Sequence, residues 1–100
     1  MKVTALERRY GRARGQVLDA AIRRATESAQ IMAQAAPADA RVAIVRDSRS
    51  GTYRYYNVNA WDRGAQPNAA LPWRPPPFPK TAIIAIVGPD GSWEKGPAYS

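Results

Sequence analysis

The chain has 100 residues, with 15 Lys and Arg against 8 Asp and Glu, and it contains neither cysteine nor histidine. That length sets one domain with a single modest core. The missing residue types exclude disulfides, thiolate metal sites and thiol catalysis, and remove the commonest general base and transition-metal ligand.

The formal net charge is +7, and 12 of the 15 basic residues are arginine. Residues 1–36 carry +4, residues 37–66 carry +2 and residues 67–100 carry +1. The guanidinium fork suits bidentate contacts to phosphate and carboxylate. A net positive field attracts acidic partners of any kind. The 19 alanines beside these arginines also fit a GC-rich genome, so the Arg to Lys ratio alone identifies no partner. The first residues lack the apolar core of a signal peptide, and no segment approaches the roughly eighteen apolar residues of a membrane helix. The chain reads as soluble and cytoplasmic, with no membrane partner.

Thr4-Ala5-Leu6-Glu7 has the spacing of a capping box, which predicts a helix start. Helical composition continues to Ala36, where Pro37 stops it. At the helical period, Leu18, Ile22, Ala25, Ala29, Met32 and Ala36 form one apolar stripe. Arg8, Arg9, Arg12 and Arg23 fall opposite it with Glu27, Gln30 and Gln34, which predicts a basic outer face. Leu6, Tyr10, Ala13 and Val17 form a second stripe, rotated by about a quarter turn. Gly11 and Gly15 weaken this first part of the helix. They predict either a bent or separate first segment, or the close approach of another backbone at four-residue spacing. The fragment Arg14 to Arg24, RGQVLDAAIRR, resembles the first helix of a TetR-type DNA-binding domain. Strand-rich sequence follows where that family needs a turn and two short helices, so the resemblance ends with the fragment.

Arg41–Arg46 (RVAIVR) and Thr52–Ala60 (TYRYYNVNA), joined by Asp47-Ser-Arg-Ser-Gly51, predict a β-hairpin with positive φ at Gly51. In the second strand Tyr53, Tyr55, Asn57, Asn59 and Trp61 share one face. Thr52, Arg54, Tyr56, Val58 and Ala60 share the other, and the Val58 face is the better core candidate. The aromatics of the Tyr53 face are then partly exposed, or covered by the segment that follows. That segment, ending in Leu71-Pro-Trp-Arg-Pro-Pro-Pro-Phe-Pro-Lys80, is too rich in proline for a helix or inner strand. It predicts an extended connector anchored on the sheet by Trp73 and Phe78. Its two P-x-x-P spacings serve structure better than an SH3 or WW ligand, because they sit between strands.

Thr81–Val87, TAIIAIV, is apolar on both faces: Ala82, Ile84 and Ile86 on one, Ile83, Ala85 and Val87 on the other. That pattern predicts an inner strand covered on both sides. Gly88-Pro-Asp-Gly91 fits a type I turn with a bulge, returning the chain as a short edge strand over Ser92–Lys95. The sum is an α+β domain: a long N-terminal helix packed on a small, mostly antiparallel sheet of about four strands.

Two groups of residues carry the functional expectation. The first is the basic cluster Arg8, Arg9, Arg12, Arg14, Arg23 and Arg24, fit to grip phosphates or an acidic protein surface. The second is the aromatic set Tyr53, Tyr55, Tyr56, Trp61 and Trp73, which suits either base stacking or internal packing. The aspartates are scattered, and no pair is placed for acid–base work or for a metal. A non-catalytic, cofactor-free interaction module is therefore expected. It docks on an acidic protein surface or nucleoprotein complex as a regulator, inhibitor, adaptor or assembly subunit of nucleic-acid machinery, and a virus-encoded protein fits that character. The competing expectation is direct nucleic-acid binding through phosphate contacts, with little sequence preference.

Overall fold

The helical layer starts where the capping box sets it. The Thr4 hydroxyl accepts from the Glu7 N–H at 3.1 Å, and the Glu7 carboxylate accepts from the Thr4 N–H at 3.4 Å. In this computed structural model, which describes residues 2–58 and 76–99, two helices follow, α1 (Ala5–Tyr10) and α2 (Arg12–Ala35). The strands are β1 (Val42–Arg46), β2 (Tyr53–Asn57), β3 (Ile83–Val87) and β4 (Trp93–Lys95). They form one sheet in the order β2-β1-β3-β4, with every neighbouring pair antiparallel. The architecture is α+β, with the helices on one face of the sheet. Trp61, Trp73 and most of the proline-rich connector lie outside the described residues.

The two early glycines perform different tasks. Gly11 has φ 92° and ψ 165°, a region essentially reserved for glycine, and there α1 ends and the chain turns back on itself. Gly15 lies under α1, where a Cβ would stand 2.2 Å from the Glu7 Cα. Only a hydrogen atom lets the two helix backbones meet at that point. The Thr4 hydroxyl donates to the Asp19 carboxylate one turn further along α2, so α1 runs back beside it. The bend is thus realised at Gly11 and the close backbone approach at Gly15 alone. The rotated stripe resolves the same way: Leu6 and Tyr10 belong to α1 and pack inward, whereas Ala13 and Val17 on α2 are exposed.

Helix α2 buries Leu18, Ala21, Ala25 and Ala29 against the sheet, with Ile22 and Met32 half-buried at the margins. Ala36, expected on that stripe, lies beyond the helix end and is exposed. Alanines at the contact keep the helix close to the strands. The apposed side chains are Val42 and Ile44 of β1 and Ile84, Ala85 and Val87 of β3.

Strict alternation in the isoleucine-rich strand does not hold. Val42 pairs with Val87, Ala43 with Ile86 and Ile44 with Ala85, but Val45 pairs with Ile83, so Ile84 is an extra residue in a β-bulge. The bulge puts Ile84, Ala85 and Val87 on the helix side and Ile83 with Ile86 on the other. Ala82 precedes the strand in a short 3₁₀ turn, Lys80–Ala82. The strand is still an inner one. Beyond β4 the N–H groups of Gly96 and Ala98 donate to the carbonyls of Ile84 and Ile83, each at 2.8 Å.

The Val58 face of the hairpin is core, as its sequence predicts, but the Tyr53 face is covered by the helices and not by the described end of the connector. Tyr53 and Tyr55 lie on the helix side, because their cross-strand partners Arg46 and Ile44 share the parity of Val42. Tyr56 and Val58 lie on the opposite side with Ala43, Val45 and Ile83. It is this second face that the end of the connector covers, with the Phe78 ring 6.1 Å from that of Tyr56. Both faces therefore carry apolar cores. The turns follow their residues: Gly51 has φ 73° and Gly91 φ 85°, and the Gly91 N–H donates to the Gly88 carbonyl at 3.1 Å.

Candidate functional site

The break at Gly11 divides the basic cluster between two elements. Arg8 and Arg9 ride on α1, while Arg12, Arg14, Arg23 and Arg24 ride on α2, and all six are exposed. They do not share one straight helix face. Arg12 borders a surface hollow with Lys2, Val3 and Glu7. Arg23 borders another with Thr4, Glu7, Gln16 and Asp19. Arg8 caps the chain start, donating to the Val3 carbonyl at 3.5 Å. Among the described residues none of Arg8, Arg12, Arg14, Arg23 and Arg24 forms an ion pair with a carboxylate. Glu94 pairs instead with Arg41 at 3.7 Å, and Asp47 with Arg54 at 3.5 Å.

Three of the guanidinium groups lie over rings instead. Arg9 sits 4.9 Å from the Tyr99 centroid, Arg14 5.7 Å from Tyr10 and Arg24 5.2 Å from Tyr55. Such stacking fixes an exposed cation without neutralising it. Burial against the helix pushes the Tyr55 phenol above its ordinary pKa, and the positive charge of Arg24 opposes that rise. Tyr99 also meets Tyr10 edge-on at 5.5 Å and Trp93 at 5.8 Å, so α1, β4 and the chain end are joined through one aromatic node. Tyr53 and Tyr55 are half-buried by α2 rather than displayed together on an open sheet. Trp61 and Trp73 lie outside the described residues.

A cleft of about 460 Å³ opens where β1 ends, β2 begins and β3 begins, under the first turns of α2. Leu18, Phe78, Ala82 and Ile84 provide its apolar lining. Tyr10, Arg14, Arg46, Ser48 and Tyr53 supply its polar groups. Sequence reasoning placed Arg14 in the basic cluster but passed over Arg46 and Ser48. The signal was present: Arg46 follows Val42 and Ile44 at the strand period, so it had to share their helix-side face.

The class defined by these features is a small α+β domain with a basic helical hairpin and an arginine-bearing cleft at one end of its sheet. Comparison of the chain with protein family models, with curated proteins and with solved structures gives no match. Among the described residues no three acidic side chains lie together as a metal site, and no helix is long and apolar enough to cross a membrane.

Proposed function

We propose that this protein is a non-catalytic, cytoplasmic docking module whose helical hairpin engages an acidic protein surface, acting as a regulator, inhibitor or subunit of a nucleic-acid-handling complex. The observation that carries this reading is that the exposed guanidinium groups of Arg8, Arg12 and Arg23 form no ion pair with a carboxylate among the described residues. Folding has not used their charge internally, so it is available to a partner. Arginine is enriched where interfaces concentrate their binding energy, because one planar fork makes paired hydrogen bonds to a carboxylate. The hairpin holds these groups on rigid backbone, with α1 fixed to α2 by the Gly15 contact and the Thr4–Asp19 hydrogen bond. Base stacking has less support, since Tyr53 and Tyr55 pack under α2. Phosphate contact alone would remain for direct nucleic-acid binding.

Arg8, Arg12 and Arg23 are the residues to reverse, because Arg9, Arg14 and Arg24 also stack on tyrosines. The wild-type chain, used as bait in extract of its native host, is expected to retain a stoichiometric acidic protein. The triple substitution Arg8→Glu, Arg12→Glu, Arg23→Glu is expected to release it while leaving the melting temperature near its original value. Recovery of no stoichiometric partner overturns the reading. Retardation of DNA or RNA in a mobility-shift assay, with a log–log salt slope near one per neutralised phosphate, would transfer the function to direct nucleic-acid binding.

A further inference from the structure

The cleft at the end of the sheet holds a second kind of chemistry. Two guanidinium groups, Arg14 from the first turns of α2 and Arg46 from the last position of β1, line the same cavity. No Asp or Glu stands among the described residues that line it. Neither arginine forms an ion pair elsewhere among the described residues. Both arginines are exposed, and two like charges bordering one concave site make it electropositive, a field that apolar walls focus on an anion. Part of the wall is apolar, since Leu18, Ile84 and Phe78 line the same cleft. Ser48 and Tyr53 add hydroxyls at the same rim, each able to donate to an anionic oxygen.

Size narrows the occupant. A volume of about 460 Å³ falls within the range of roughly 300–1,000 Å³ typical of small-molecule sites, which combine apolar lining with a few placed polar groups. We infer that this cleft binds a small amphiphilic organic anion. Its carboxylate or phosphate-monoester head lies between Arg14 and Arg46, and its short acyl or aryl body lies on Leu18, Ile84 and Phe78. A bare inorganic anion would leave the apolar walls empty, and an uncharged amphiphile would leave the two guanidinium groups opposed. The site is separate from the docking face formed by Arg8, Arg12 and Arg23, so its occupancy stands or falls independently of that reading.

Titration of the full chain with octanoate, followed by the methyl resonances of Leu18 and Ile84, tests the inference directly. Saturable shifts confined to the cleft are expected, with octanol and acetate each binding at least about tenfold more weakly and octylamine not binding. Arg14→Gln and Arg46→Gln should each weaken octanoate by about tenfold, the loss of one charge-assisted contact, without changing octanol. Arg46→Lys, which keeps the charge but loses the fork, should fall between. Arg23→Gln should bind as the wild type does. Octyl phosphate against octanoate reads which head group is preferred. Equal affinity for octanoate and octanol, shifts that survive both Gln substitutions, or no shift at millimolar octanoate would overturn the assignment.

Discussion

Gly15 shows how one missing methyl group can decide where a helix lies. On an isolated helix, replacing it with alanine would gain about 1 kcal/mol of helix propensity. Here the added Cβ would meet the Glu7 Cα at 2.2 Å and the Leu6 carbonyl carbon at 2.7 Å, both rigid backbone. The clash should win, so Gly15→Ala is expected to destabilise the domain by about 1–3 kcal/mol, as overpacking does. Urea unfolding measures it, and a more stable variant would mean that α1 does not pack there. Two aspartates carry a second prediction at this scale. The Arg49 N–H, 2.9 Å away, holds Asp47 below its ordinary pKa, and the Ser92 hydroxyl, 2.6 Å away, does the same for Asp90. A carboxyl whose folded pKa is depressed stabilises the fold above its unfolded pKa and loses that contribution as pH falls through the folded value. The melting temperature should therefore drop as pH is lowered below about 4, near the ordinary carboxylate value. Asp47→Asn together with Asp90→Asn should flatten that drop, and an unchanged slope would remove the two turns as its cause.

At the scale of elements, the apposition of α2 to the sheet depends on small side chains. Ala25 and Ala29 are fully buried beneath the helix, whereas Ile31 is 68% exposed on the same element. Adding volume at Ala25 must lift the helix from β1 and β3 or force strained rotamers. Ala25→Leu is expected to cost about 1–3 kcal/mol, read as a melting temperature lower by roughly 4–8 °C per kcal/mol for a domain of this size. Ile31→Ser should stay within about 0.5 kcal/mol of wild type, because it removes an exposed group. Equal effects at the two positions would place the helix in a different rotation. The β-bulge at Ile84 acts at this scale too. By adding one residue to β3 it turns three consecutive apolar positions into two on the helix side and one on the other. That keeps Ile84 within the cleft beside Arg14.

For the whole molecule, the arrangement separates charge from packing. Apolar groups cover both faces of the inner strands, and the excess guanidinium groups stand outside on the hairpin. A chain with net charge +7 exerts a field that steers an acidic partner, and salt shortens its reach from about 10 Å at 0.1 M to about 3 Å at 1 M. Association with the acidic partner proposed for the hairpin should therefore slow by about tenfold or more across that range, while dissociation changes much less. Stopped-flow or surface-binding kinetics would read this. A salt-independent association rate would show that the arginines contribute contacts but no steering.

Much of the fold is legible without coordinates because its signals are local. The capping box at Thr4, the proline stop at Pro37, the glycines of both β-turns and the apolar run Thr81–Val87, of which Ile83–Val87 forms the strand, each fix the backbone within a few residues, through hydrogen bonds and φ preferences that need no distant partner. The identity of the outward-facing arginines is legible for the same reason, since helical periodicity separates them from Leu18, Ala25 and Ala29. What tertiary structure alone decided is pairing. Gly15 had two physical uses until α1 folded back on it, and the parity of β3 changed only when the register with β1 placed a bulge at Ile84. The side of the sheet that received Tyr53 and Tyr55, and the placing of Arg14 and Arg46 on one cleft, were set by which face α2 covered. Such choices balance contacts between residues far apart in the chain, and no local pattern records that balance.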